Sequence, residues 1–208
     1  MIILGLTGSI GMGKSTAAAM LRRLGVPVYD ADASVHRLLG PGGAAVPLVE
    51  AAFPGTAGIQ GIDRRELGRR VFGDAAALRR LEAILHPMVR REERQFLRRM
   101  ARQRVPVVAL DIPLLFEGGD RTRCDAVVVV SAPAFLQRAR VLGRPGMTEE
   151  RLASILRAQM PDREKRHLAD FVVPTGLGRR ATLQRLGEVV RVLRARNVRR
   201  SRHRRARS

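Results

Sequence analysis

Residues Gly8-Ser9-Ile10-Gly11-Met12-Gly13-Lys14-Ser15 fit G-x-x-x-x-G-K-[ST] at every fixed position, between an apolar run at 2–6 and a helix-patterned stretch at 15–24. A loop in that setting sits at the end of a strand and opens a helix, so its amides and the positive end of the helix dipole converge on one point. That point suits a phosphate. The sequence therefore predicts a site for a nucleoside triphosphate, ATP above all, built from Gly8, Gly11, Met12, Gly13, Lys14, Ser15 and Thr16. Lys14 is expected to reach the β- and γ-phosphates, and the Ser15 hydroxyl to ligate Mg²⁺ with Thr16 beside it.

Beyond the loop, short apolar strands alternate with helical patterns. Residues 26–29 read as a second strand that delivers Asp30 and Asp32, residues 106–110 as a third ending at Asp111, residues 125–130 as a fourth and residues 171–173 as a fifth. Strands that are apolar throughout and separated by helices imply a parallel sheet covered on both faces. The fold class expected is α/β: a P-loop, nucleotide-kinase-like, three-layer fold with a five-stranded parallel sheet, a helical substrate-binding insertion and a lid. Residues 1–33, 104–133 and 166–193 would form the core, 34–103 the insertion and 134–165 the lid. Residues 40–61 are rich in Gly, Pro and Ala and read as a loop-rich entry to the insertion. Residues 74–104 carry apolar side chains at helical spacing, and Pro87 predicts two helices, or a kinked one, with His86 at the break. Helices are expected at 133–142, 148–160 and 181–193.

With 208 residues the chain is long enough for one folding unit with a substantial core. Its single cysteine, Cys124, excludes an internal disulfide and a thiolate metal cage, which fits a reducing cytoplasm. No apolar run approaches a bilayer span, and residues 1–6 lack the basic leader of a signal peptide. The net charge of +20 invites a nucleic-acid reading. Eight arginines and no acids lie in residues 194–208, however, and removing those eight charges from +20 leaves +12 on the remainder. A body that handles polyanionic nucleotides is served by such a field. The tail reads as a solvated, disordered basic extension, with a weak polyanion contact as the alternative. With aromatic residues at 3% and no tryptophan, stacking platforms for nucleobases are scarce, so nucleic-acid binding is not expected as the primary function.

A phosphate loop alone does not separate kinases from other nucleotide hydrolases. Asp30-Ala31-Asp32 adds two carboxylates where open α/β sheets bind ligands, and if the strand continues their i, i+2 spacing points both the same way. A base there takes a proton from a substrate hydroxyl; a helix cap is the structural alternative for either one. Asp111 closes an apolar strand, where P-loop enzymes hold a metal-proximal carboxylate, usually through water.

Taken in order, the N-terminal phosphate loop, Tyr29-Asp30-Ala31-Asp32, Leu85-His86-Pro87 and Asp111-Ile112-Pro113-Leu114-Leu115-Phe116-Glu117 resemble the dephospho-CoA kinase family. The likeness runs on through Gln137-x-x-Arg140-x-x-x-Arg144, Gln159-Met160 and Ala169-Asp170-Phe171-Val172-Val173, covering nearly all of residues 1–190. It implies ATP and dephospho-CoA as substrates, with Asp32 as catalytic base toward the ribose 3′-hydroxyl. It also implies Lys14, Arg140 and Arg144 acting on the transferred phosphoryl, the two arginines from a lid. Asp30, Arg64, His86 and Asp111 become candidate substrate-binding residues. One departure is Pro174-Thr175-Gly176, where many relatives carry Asp-Asn; adenine is then expected to meet backbone or Thr175. The enzymatic alternative is another small-molecule kinase of the nucleoside monophosphate or shikimate type.

Overall fold

The computed structural model describes the backbone of residues 1–205 and the side chains of residues 1–198. It divides into two compact units: residues 1–29 with residues 100 onward, and Asp30–Arg99.

The first unit is built on a five-stranded sheet. Its strands are β1 (Ile2–Thr7), β2 (Val28–Asp30), β5 (Val107–Asp111), β6 (Ala126–Ser131) and β7 (Phe171–Pro174), in the order β2-β5-β1-β6-β7. β1 lies parallel to β5, with Ile2 opposite Val107 and Leu6 opposite Asp111, and parallel to β6, with Leu4 opposite Ala126. β6 pairs parallel with β7. Every residue of β5 and β6 is buried, as expected of strands covered on both faces. The helices of this unit are α1 (Lys14–Arg23), α6 (Ala134–Leu142), α7 (Glu149–Ala158), α8 (Asp162–Leu168) and α9 (Arg179–Arg205), with a 3-10 turn at Asp120–Arg123. The apolar faces of α1 and α9 meet Leu4, Leu6, Val107 and Val128 in one core through Ala17, Leu21, Leu186, Val190 and Leu193.

The second unit contains α2 (Ala31–Leu39), α3 (Val46–Ala52), the two-residue strands β3 (Ala57–Gly58) and β4 (Gly61–Ile62), and α4 (Arg64–Val71). Most of the long helix α5 (Ala75–Arg102) follows. The loop-rich stretch at 40–61 holds one short helix and the start of a hairpin of two-residue strands. Leu38, Leu39, Val49, Phe53, Ile62, Leu67 and Leu85 form its core. The Glu50 carboxylate fixes the turn after α3 by accepting from the amides of Gly55, Thr56 and Ala57 at 2.6, 2.9 and 2.6 Å.

Three expectations change for physical reasons. Pro87 lies inside α5 and does not divide it, so of the two alternatives expected, two helices or one kinked helix, the two-helix reading is excluded. A proline there costs about 3 kcal/mol through its lost donor and steric clash. The cost is offset by the apolar stripe on either side, where Leu85 is buried and Leu81, Ile84, Met88 and Val89 pack on the unit's core. Secondly, β2 stops at Asp30 and a helix starts at Ala31, so Asp30 and Asp32 do not share a strand face. Thirdly, α9 runs through Arg205, so residues 194–205 are not the disordered tail expected; residues 206–208 lie outside the described residues. Arginine is a good helix former and nothing after Gly187 breaks the helix. The boundary at 194 also cuts through anchored structure: Arg194 donates to the Leu24 carbonyl at 2.9 Å, and the Arg196 guanidinium lies 5.6 Å from the Phe171 ring centroid.

Those two anchors precede Asn197. Deleting residues 197–208 is expected to leave thermal stability and turnover nearly unchanged while weakening salt-sensitive retention on a polyanion column. A large loss of activity would show that the C-terminal segment supports the site.

Candidate active site

The phosphate loop joins β1 to α1, and its turns need glycine: Gly11 has φ +76° and Gly13 has φ +87°. Helix α1 begins with no side-chain cap and no acidic residue in its first turn. Its leading amides are thus left for an anion. Among the described residues the amides of Gly11, Gly13, Lys14 and Ser15 have no protein acceptor. The loop carbonyls from Ser9 to Gly13 are all engaged. Ser9 O accepts from Met12 N at 3.1 Å and Gly13 O from Ala17 N at 3.0 Å. Ile10 O accepts from Gln137 Nε2 at 2.8 Å, Gly11 O from Arg140 at 3.3 Å and Met12 O from the Thr175 hydroxyl at 2.8 Å.

Lys14 Nζ lies 2.7 Å from Asp111 Oδ1, and the Asp111 side chain is 3% exposed. The lysine predicted in the phosphate loop and the aspartate predicted at the end of the third strand in sequence are therefore in contact. The Ser15 and Thr16 side chains are exposed at the start of α1. Ser15 and Asp111 offer hard oxygen donors in small number, which suits Mg²⁺, an ion that keeps several waters and takes phosphate oxygens. Among the described residues no group of three or more His, Cys, Asp or Glu forms a cage for a metal.

Of the two arginines expected on a lid, Arg140 is already bound: besides Gly11 O, it donates to Thr175 Oγ1 at 3.2 Å and Thr175 O at 2.8 Å. Arg144 is exposed, with no hydrogen-bond partner for its guanidinium among the described residues. Thr175 is 8% exposed, and its hydroxyl also lies 3.3 Å from Ser131 O. This internal use removes the Thr175 hydroxyl as the expected adenine contact.

Within the second unit, Asp30 caps α2, its carboxylate accepting from Ala33 N at 2.9 Å. Asp32 is exposed in the first turn of α2, and its carboxylate has no hydrogen-bond or ion-pair partner among the described residues. Asp63 caps α4 by accepting from the amides of Arg65 and Glu66, which sets Arg64 at the first helical position. There Arg64 meets His36 Nδ1 at 2.8 Å, a pairing that sequence reasoning missed. The i, i+28 separation carries no local signal. His86 is exposed on α5.

Sequence reasoning also gave no role to Glu117 or Lys165. Lys165 is fully buried, and its ammonium lies 2.8 Å from Glu117 Oε1. The same oxygen accepts from Met160 N at 2.9 Å. Burial pushes the Glu117 carboxyl up, but the Lys165 ammonium and the backbone donors outweigh it and hold the group below the ordinary glutamate value. A carboxyl depressed in the folded state contributes stability above its unfolded value and loses it as pH falls through the folded one. The run Asp-Arg-Glu-Lys-Arg-His reads as a solvated helix face, so nothing local in sequence marks a buried ammonium.

The geometry has known counterparts. A dephospho-CoA kinase of Novosphingobium aromaticivorans is 57% identical over 197 residues, which cover 95% of this chain and 97% of the relative. The crystal structure of TT1252 from Thermus thermophilus matches with a TM-score of 0.79 at 38% identity, over 92% of this chain and 96% of the other. A dephospho-CoA kinase from Campylobacter jejuni shares the fold, with a TM-score of 0.64 at 24% identity over 92% and 96% of the two chains. The dephospho-CoA kinase family model matches residues 2–177, and the chain belongs to that family.

Proposed function

We propose that this chain transfers the γ-phosphoryl group of ATP to the ribose 3′-hydroxyl of dephospho-CoA, giving coenzyme A and ADP. The observation that carries the reading is the family match across residues 2–177, which takes in the phosphate loop, the Asp30-Ala31-Asp32 step and the segment from Asp111 to Glu117.

In this reaction the amides at the start of α1 and the Lys14 ammonium hold the β- and γ-phosphates and stabilise the charge that builds on them during transfer. Ser15 and, through water, Asp111 would hold Mg²⁺, which when bound neutralises phosphate charge. Asp32 orients the 3′-hydroxyl and accepts its proton. Arg144, unengaged and on the lid segment, neutralises charge on the transferring group, and Arg140 holds the loop carbonyl and Thr175 that frame it. Arg64 and His86 bind the acceptor, Arg64 through its phosphates. Asp30 shapes the turn that carries Asp32. Among the described residues no helix is long and apolar enough to cross a membrane. A buried free Cys124 accords with a reducing cytoplasm as the compartment.

Coupled measurement of ATP consumption with dephospho-CoA beside AMP and adenosine tests the assignment. Turnover is expected with dephospho-CoA and at least a hundredfold less with the other two, since they lack the groups the site would bind, a discrimination of about 3 kcal/mol. Comparable turnover of AMP would move the chain to the nucleoside monophosphate kinases.

A further inference from the structure

Five consecutive carbonyls of the phosphate loop, from Ser9 to Gly13, accept hydrogen bonds from protein donors, and three of them, at Ile10, Gly11 and Met12, accept from side chains far along the sequence. Ile10 is held through both of its backbone groups, one in each of the two peptide units that meet at its Cα. Its carbonyl accepts from Gln137 on α6 at 2.8 Å, and its amide donates to Gln159 Oε1 at 3.1 Å. Gln137 is 7% exposed. Gln159 ends α7, and only Met160 and Pro161 separate it from α8.

That short link is pinned in turn. Glu117 accepts the Met160 amide and pairs with Lys165, whose side chain is wholly buried. The chain has only two lysines, Lys14 and Lys165, against 37 arginines. Arginine thus serves almost everywhere a cation is needed, and lysine persists on the phosphate loop and in this pocket. A compact ammonium fits an enclosed space where a planar guanidinium with its longer fork does not.

We propose that Gln137 and Gln159 are positioning residues for phosphoryl transfer, holding the backbone on either side of the Ile10 Cα so that the loop amides stay aimed at the phosphates, with Glu117 and Lys165 fixing Gln159. An anion cradle works only if its amides are prearranged, since reorganising them at the moment of reaction costs rate. The inference rests on the kinase reading for its consequence in turnover. Its first readout, ATP affinity, is independent of the acceptor.

ATP affinity is measured by titration calorimetry for the wild type, Gln137→Leu, Gln159→Leu and the double variant, with unfolding curves for each. Each single variant is expected to bind ATP about five- to twentyfold more weakly, the range of one or two lost hydrogen bonds. The double variant should lose less than the product of the two, because both act on the backbone of one residue. In turnover assays KM for ATP rises and KM for dephospho-CoA stays within about twofold, a split that general destabilisation does not produce. Glu117→Ala should show the same selective loss. Glu117→Gln, which keeps an acceptor for the Met160 amide, should restore part of it. Folded variants with unchanged ATP affinity, or with both KM values raised equally, overturn the proposal. A wild type that binds ATP normally and ignores dephospho-CoA overturns the functional reading and leaves this one standing.

Discussion

Lys14→Ala is expected to lower turnover by about 10³-fold or more, because the Lys14 ammonium stabilises charge on the transferring phosphoryl where little water competes. The structure adds a cost in stability. Asp111 is 3% exposed and has Lys14 2.7 Å away, so removing the lysine strips a buried carboxylate of its charge partner. Removing the cation of such a pair costs about 3–5 kcal/mol when the pair is fully buried, and less here because Lys14 is partly open to solvent. Activity alone therefore does not separate lost chemistry from lost fold. Lys14→Ala combined with Asp111→Asn removes the buried negative charge as well, so it should recover stability and remain inactive. Stability recovered together with turnover, or near-normal turnover in folded Lys14→Ala, would remove the phosphate loop from the mechanism.

The loop and the sheet were legible because their residue types are dictated by local chemistry. Glycine takes the positive φ values at Gly11 and Gly13 without the strain other residues meet, and apolar runs such as that at 107–110 suit a strand buried on both faces. What escaped was decided by partners distant in sequence. Gln137 and Gln159 lie 127 and 149 residues from the Ile10 atoms they bind, and a glutamine on a helix gives no sign of such reach. The single helix through Pro87 was decided by packing on both sides of the proline, which outweighs a local penalty. The tail failed in the opposite way: its charge was read as disorder, whereas arginine's helix propensity and the anchors at Arg194 and Arg196 carry α9 onward.

Asp32→Asn is expected to reduce turnover by about 10²–10⁴-fold with ATP affinity little changed, since it removes a proton acceptor and keeps the size of the side chain. The two aspartates of Asp30-Ala31-Asp32 are distinguished by what already occupies them. Asp30 is committed to the backbone as the cap of α2, whereas Asp32, two residues on, is exposed with an uncommitted carboxylate. A group free of structural hydrogen bonds can accept a proton without unravelling a helix end. Asp30→Asn should therefore be mild, because asparagine caps as well as aspartate, and Asp30→Ala should cost about 1 kcal/mol of stability. A loose transition state needs little activation of the nucleophile, so part of the Asp32 effect will be lost positioning of the hydroxyl. The pH–rate profile separates the two contributions. If Asp32 acts as the base, the acid limb of the wild-type profile disappears in Asp32→Asn; if it only positions, the limb persists at a lower plateau. An Asp32→Asn enzyme within a few-fold of wild type, or one that loses ATP affinity and keeps its turnover, would transfer the role to another residue.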